Sequence, residues 1–193
     1  VYMIFHGINP KEQPKFEKQA RKVEPYQQIH LKIITLRNDF KKSGLKNVDL
    51  IVPPVFKPWE LPVDKHLSFK PPIKIGFFGQ FRKEKNLGFF LEAFTKAEFS
   101  VPVELIVQGA TAKPEDGELF EKFAKDYSQY SNISFLHQNL IGVEWQKALL
   151  GVDAIMMPYA AERYRYHWGA MLFTAIGFYK PVLQSPELNP EVL

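Results

Sequence analysis

A run of basic residues follows one of the apolar segments of this 193-residue chain, and its composition suits phosphate binding. The run is Gly79-Gln-Phe-Arg-Lys-Glu-Lys-Asn86, and a segment with helical periodicity begins directly after it. A helix N-terminus offers free N–H groups and positive potential to an anion. The ammonium of Lys85 would add to that potential, and the guanidinium of Arg82 could contact a phosphate in bidentate fashion. A charged loop exposed to solvent is the alternative interpretation.

Three further residues follow strand-like runs and could border the same site. Gly79 and Gly109 stand where a backbone without a side chain can approach a ligand closely. Ordinary turn glycines are the alternative for both. His137 follows another run and could form a wall of the site, or it could simply end its strand.

A second polar loop lies between the apolar run at 153–157 and an apolar helical segment that begins near Gly169. In an open parallel sheet, ligands bind where strand ends meet helix starts, so this loop is a candidate ligand edge. Its tyrosines could stack on a ligand or pack within the loop. The histidine of this loop, His167, lies beside an aromatic-rich apolar segment, where a histidine is more often a packed or exposed group than a catalyst. The side chains in question are Glu162, Arg163, Tyr164, Arg165, Tyr166, His167 and Trp168.

Strand-like and helix-like patterns alternate along the chain, which predicts parallel β-α-β units. The predicted strands are 1–5, 29–36, 48–52, 73–78, 103–107, 133–136, 153–157 and a last one that begins near residue 180. Helical patterns cover 11–28, 86–97, 114–127 and 143–150, with a short helical turn at 39–45.

A proline-rich segment interrupts this alternation and predicts a domain boundary. The segment, 57–72, contains Pro58, Pro62, Pro71 and Pro72 and would link a partial α/β segment at 1–56 to a domain at 73–193. Residues 189–193 resemble the N-cap and first turn of a helix. We therefore expect the second domain to be cut short at its C-terminus.

Composition excludes several classes of protein. The chain has no cysteine, which rules out a disulfide scaffold and a thiolate zinc site. No apolar run approaches the roughly 18 residues that span a bilayer, and the first residues lack the pattern of a signal peptide. The net charge of +4 is mild, and the basic residues are spread along the chain, so we expect no nucleic-acid partner.

The order of several motifs resembles the C-terminal half of a GT-B glycosyltransferase of the family 4 (group 1) type. The resemblance covers about Pro53 to Leu193. Its motifs are the run at 79–86, similar to "G-R-x-x-x-E-K-G/N", and Leu105-Ile-Val-Gln-Gly109, similar to "L-x-I-x-G". They also include Ala154-Ile-Met-Met-Pro158 with Gly169, Ala175 and Lys180-Pro-Val182, similar to "D-x-x-x-x-P-S … G … E-A … G-x-P-V". The fold implied is a Rossmann-like parallel sheet with helices on both faces, preceded by a partial β-α-β segment.

The resemblance implies a site for a nucleotide-diphosphate sugar, bound without metal and without another cofactor. Lys85 matches the lysine that meets the diphosphate, and Gln80 replaces the family's arginine, a role that Arg82 could take over. The family's two glutamates are replaced by Tyr166 and Thr174, which implies that the donor is held differently or that the activity is altered or missing. The implied donor-binding set is Gly79, Gln80, Arg82, Lys85, Gly109, His137, Tyr166, His167, Trp168, Gly169 and Thr174, and no catalytic residue is identified.

The implied activity of the complete protein is transfer of the sugar to a glycan or lipid-linked acceptor, as in surface polysaccharide synthesis. We expect the 193-residue chain by itself to bind donor without efficient transfer. The implied location is the cytoplasm, with peripheral association at the inner face of the membrane as an option. A non-catalytic glycosyltransferase-like subunit that binds a partner enzyme is the alternative. A dinucleotide-binding enzyme is disfavoured, because Gly79 lacks the further glycines of that fingerprint.

Overall fold

The computed structural model describes residues 1–35, 44–59, 61–64, 69–159, 164, 167, 169–186 and 188. The chain forms two compact units. The first contains Val1–Pro54 with the described residues of Ala161–Ala170 and Pro186–Leu193, and the second contains Val55–Ala160 and Met171–Ser185. The predicted division into 1–56, 57–72 and 73–193 follows the chain without interruption, whereas these units each take more than one stretch of it.

The first unit contains a parallel three-stranded sheet and an α-helix that follows its first strand. Its elements are β1 (Tyr2–Phe5), α1 (Gln13–Val23), β2 (His30–Ile34) and β3 (Val48–Ile51), and the strand order is β1-β2-β3. The small core of this unit consists of Ile8, Ala20, Leu31, Ile33, Leu45 and Val48. The predicted strands and helix are present with shorter bounds, and most of the helical turn predicted at 39–45 lies outside the described residues.

In its described residues, the second unit contains a parallel five-stranded sheet with α-helices between the strands. The strands are β4 (Ile73–Phe77), β5 (Val103–Gly109), β6 (Ile133–His137), β7 (Ala154–Met157) and β8 (Val182–Gln184). The helices are α2 (Leu87–Lys96), α3 (Pro114–Asp126), α4 (Gly142–Leu150) and α5 (Ala170–Gly177). The strand order is β6-β5-β4-β7-β8, and every pairing is parallel.

Burial explains why these segments adopt these forms. Phe77, Leu105 and Ile155 lie on the central strands and are fully buried, as expected for a parallel sheet covered on both faces. Helix α2 buries an apolar stripe at helical spacing, which consists of Leu87, Phe90, Leu91 and Phe94. Helix α3 begins at Pro114, and two acidic residues follow in its first turn, where they favour the helix dipole.

The sheet topology places helices on both faces and creates a crevice at one edge. The chain runs outward from β4 through β5 to β6, then returns to β7 on the opposite side of β4. Because crossovers between parallel strands are right-handed, helices of the two runs cover opposite faces. The predicted Rossmann-like fold is thereby confirmed. Ligands bind at such a reversal, beyond the carboxyl ends of the strands, which here means between β4 and β7.

Among the described residues, no helix has the length and apolar character that crossing a membrane requires.

Candidate functional site

An open cleft of about 610 Å³ lies beyond the carboxyl ends of β4, β5 and β6. Small-molecule sites in proteins have volumes in this range. One side of the cleft is formed by the residues that follow the strands, and the other by the start of α4. Its lining includes Gly79, Gln80, Gln108, Thr111, Asn139, Ile141 and Trp145.

The basic run after β4 forms a tight turn that leads into α2. Gly79 has a φ of 100°, in the left-handed region that a residue with a side chain avoids. Lys83–Lys85 then forms one 3₁₀ turn, and Asn86 N donates to Lys83 O at 3.0 Å. The backbone N–H of Lys83 donates to Oδ1 of the buried Asp116 at 3.2 Å, which fixes the turn to helix α3.

Lys85 is half-buried in this turn, and its ammonium lies at the crevice between β4 and β7. Nζ lies 5.0 Å from the ring centroid of Tyr159, which follows β7, and 5.8 Å from that of Phe77, which ends β4. A Cβ atom at Gly79 would lie 3.5 Å from Nζ, so the glycine and the lysine are neighbours.

The charge of Lys85 has no acidic partner in the salt bridges of the described residues. The pKa of Lys85 is lowered from 10.5 to about 8, mainly by burial and also by the positive charge of Arg82, whereas Glu84 opposes both effects. Desolvation disfavours the ammonium, so a bound anion would relieve this energetic cost.

Gln80 and Arg82 contact each other at the entrance to this turn. Arg82 Nη2 donates to Gln80 Oε1 at 3.0 Å, so the guanidinium is adjacent to the position of the family's arginine. Gln80 also pairs with Ala110, and Phe81 N donates to Ala110 O at 2.7 Å. These bonds extend the pairing of β4 with β5 to the edge of the cleft. Phosphate contact by either side chain stays a prediction.

Gln108 is a site residue that the sequence interpretation missed. Its side chain is buried, Oε1 accepts from Gly79 N at 2.9 Å, and Nε2 donates to Gln138 O. One amide group therefore joins the ends of β4, β5 and β6. The signal was the glutamine that follows the apolar run Leu105-Ile-Val107 within the strand, where a buried amide has to find partners.

Gly109 has a packing reason for its missing side chain. A Cβ atom there would lie 2.5 Å from Phe120 Cε2, on helix α3. The glycine therefore allows the helix to pack closely on β5. A ligand contact at Gly109 stays a prediction.

Thr111, His137 and Glu121 form a hydrogen-bonded series at the far end of the cleft. Thr111 Oγ1 lies 2.9 Å from His137 Nε2, and His137 Nδ1 is hydrogen-bonded to Glu121 Oε1. Because an ionised carboxylate only accepts, Nδ1 carries a proton, and in the neutral tautomer Nε2 accepts from the threonine hydroxyl. The lone pairs of Oγ1 then remain for a ligand. Thr111, and not His137, lines the cleft.

None of the other predicted site residues that the structure describes lines this cleft. Thr174 is buried in α5. His167 and Gly169 belong to the first unit, where His167 Nδ1 donates to the carbonyl oxygen of His6 at 3.0 Å. Tyr166 and Trp168 lie outside the described residues. The residues that the structure brings together are Gly79, Gln80, Arg82, Lys85, Gly109 and His137.

Within the described ranges, no group of three or more histidine or acidic side chains could hold a metal ion.

No protein-family model matches the sequence, and no curated protein sequence matches it. Solved structures do match. Anabaena HepE, in complex with UDP and glucose, has a TM-score of 0.63 and 12% identity, over 98% of this chain and 53% of its own. The lipopolysaccharide outer core galactosyltransferase WaaB has a TM-score of 0.59 and 13% identity, over 97% and 57%.

A third similar structure is the C-terminal domain of a group 1 glycosyl transferase from Francisella tularensis. Its TM-score is 0.50 and its identity 21%, over 72% of each chain. The chain thus spans about half the length of HepE and somewhat more of WaaB, at 53% and 57%.

Proposed function

We propose that this chain, which has the fold of the GT-B glycosyltransferases, binds a nucleotide-diphosphate sugar at the carboxyl edge of its five-stranded sheet. The observation that carries the proposal is the environment of the Lys85 ammonium. Its ammonium lies at the crevice between β4 and β7, is half-buried, and has no acidic partner among the described salt bridges. A diphosphate would supply the missing negative charge.

The cleft beside Lys85 has the length and chemistry for the rest of a nucleotide. Neighbouring strands lie about 4.8 Å apart, so the ends of β4 and β6 are separated by about 10 Å. That distance suits a nucleoside diphosphate with its phosphates near Gly79 and its base near Thr111. Ile141 and Trp145 supply apolar surface for the base, and Thr111 Oγ1 supplies a hydrogen-bond acceptor.

The same ammonium could assist sugar transfer. When the bond between the sugar and the diphosphate breaks, negative charge develops on the departing phosphate oxygen. A fixed positive group stabilises that charge more strongly in a desolvated site than in water. We therefore propose electrostatic catalysis by Lys85, with neither a metal nor an organic cofactor in the reaction.

The acceptor would be a glycan or a lipid-linked sugar. Support comes from WaaB, a lipopolysaccharide galactosyltransferase, and from HepE, whose crystals contain UDP and glucose. Several further expectations stay predictions. They are a role in surface polysaccharide synthesis, a location in the cytoplasm or at the inner face of the membrane, and the absence of a nucleic-acid partner. That the chain alone binds donor without efficient transfer also stays a prediction. The absence of an acidic partner for Lys85 among the described salt bridges favours donor binding over the alternative of a non-catalytic subunit.

Calorimetric titration tests the proposal. UDP, GDP, ADP and UDP-glucose would be titrated into the folded chain at pH 7, and into Lys85→Met and Lys83→Met variants. Lys83 is exposed in the same turn and serves as the matched control. We expect at least one diphosphate to bind more tightly than about 1 mM, with the loss confined to Lys85→Met. The proposal fails if none of the four binds to a chain that circular dichroism shows to be folded.

A further inference from the structure

Two buried aromatic rings line the crevice between β4 and β7. Phe77 is the last residue of β4, and Tyr159 follows β7. Their centroids are 6.5 Å apart, and the ring planes meet at 79°, an edge-to-face arrangement. Both residues are buried, so the crevice has a fixed aromatic wall. We call these two rings the aromatic pair.

The ammonium of Lys85 lies within cation–π distance of both rings, at 5.0 Å from Tyr159 and 5.8 Å from Phe77. Ring faces carry negative potential, and they attract a cation up to about 6 Å from the centroid. A carboxylate in their place would neutralise the ammonium and compete with phosphate for it. The rings attract the cation without occupying its N–H donors, which remain for an anion.

We propose that Tyr159 is a positioning residue, whose ring, together with Phe77, holds the Lys85 ammonium where a diphosphate meets it. The inference rests on the proposed function. Position 159 holds a serine in the motif that this chain resembles, so the aromatic side chain is a departure from that pattern. Tyr159 follows β7 on the other side of the crevice, and it thereby couples β7 to the basic turn after β4.

Among the described residues, the other charged groups that act on Lys85 lie on its own turn. Arg82 repels the ammonium and Glu84 attracts it, and together with burial, the largest cause, their net effect is to lower the pKa of Lys85 to about 8. The ring of Tyr159 favours the charged form, so its loss should lower the pKa of Lys85 still further. Its loss would then weaken phosphate binding most at alkaline pH, where less ammonium remains.

Two measurements on the same samples test this assignment. The first is an NMR titration of lysine labelled with ¹³C and ¹⁵N, with Lys85 assigned through Lys85→Met. In the wild-type chain, ring currents should shift the Lys85 ε-methylene protons upfield, and the group should titrate near pH 8. Tyr159→Phe should retain both features, whereas Tyr159→Leu should lose the ring-current shift from position 159 and titrate at lower pH. Tyr130→Leu, an exposed tyrosine of the same unit, is the control.

The second measurement is the affinity for UDP at pH 6.5 and pH 8. We expect Tyr159→Leu to weaken binding about tenfold at pH 8 and less at pH 6.5, with Tyr159→Phe and Tyr130→Leu unchanged. An unshifted ε-methylene in the wild type overturns the inference even if Tyr159→Leu fails to fold. So does a Tyr159→Leu chain with wild-type titration and affinity. If the wild type binds none of the nucleotides, the proposed function fails, and the NMR titration still decides whether the rings hold the ammonium.

Discussion

Thr111 Oγ1 lies 2.9 Å from Nε2 of His137, whose other ring nitrogen is hydrogen-bonded to Glu121. This relationship joins the loop after β5 to the end of β6 and fixes the direction of the threonine hydroxyl. With the ring neutral, the hydroxyl donates to the histidine and can only accept from a ligand. The far end of the cleft therefore favours a base whose edge carries an N–H donor.

Thr111→Val should weaken UDP binding by about three- to tenfold, because one hydrogen bond of about 0.5–1.5 kcal/mol is lost. The measurement is calorimetric titration at pH 7.5. Thr95→Val is the control, since the Thr95 hydroxyl donates to Glu92 O within α2, away from the cleft. Equal losses in the two variants would show that the effect is not specific to the cleft.

Lys85→Met should weaken binding of UDP and UDP-glucose by roughly ten- to a hundredfold, the range for hydrogen bonds to a charged group. Methionine keeps the length and apolar stem of the side chain and removes only the charge. Affinity is measured beside Lys83→Met, which should bind as the wild type does. A loss shared by both variants would indicate general attraction by the basic turn, and an unchanged Lys85→Met would contradict a phosphate contact.

The basic turn could be predicted from the sequence because its determinants are local. Gly79, the lysines and the helix start follow one another along the chain, and the structure places Lys85 beside Gly79. The alternation of apolar strands and amphipathic helices likewise predicted the parallel sheet. Each of these features depends on neighbours a few residues away.

Gln108 and Tyr159 could not be predicted because their partners are distant in sequence. Gln108 binds Gly79 and Gln138, and Tyr159 faces Lys85, so both roles depend on strand order and register. An order of β6-β5-β4-β7-β8 brings these residues together, and local patterns do not specify it. The packing of Gly109 against Phe120 likewise requires the position of α3 on the sheet.

Gln108→Leu should destabilise the chain by roughly 2–5 kcal/mol. Leucine fills similar space, but it leaves Gly79 N and Gln138 O without their buried partner, at about 1–3 kcal/mol for each group. Urea unfolding followed by circular dichroism measures the change in the free energy of unfolding. Gln129→Leu, at an exposed position after α3, should change it by less than about 0.5 kcal/mol. A Gln108→Leu chain as stable as that control would show that the amide does not hold the strand ends together.

Lys85→Met should also stabilise the fold while it weakens binding, because it removes a partly desolvated charge. The pKa of Lys85 is about 8 in the folded chain against an ordinary value of 10.5, so the unfolded chain binds more protons between these two values. The destabilisation of the fold by the Lys85 ammonium is therefore fully present below pH 8, falls as the pH rises from 8 towards 10.5, and vanishes above that range.

The stability difference between wild type and Lys85→Met isolates this one group from the other lysines. After allowance for partial exposure, we expect the variant to be more stable by roughly 1–2 kcal/mol at pH 7. The difference should shrink between pH 8 and pH 10.5, as measured by urea unfolding at a series of pH values. Lys83→Met should show no such trend. A Lys85→Met chain less stable than the wild type at pH 7 would mean that the ammonium already has a favourable partner, and the case for a diphosphate as that partner would be lost.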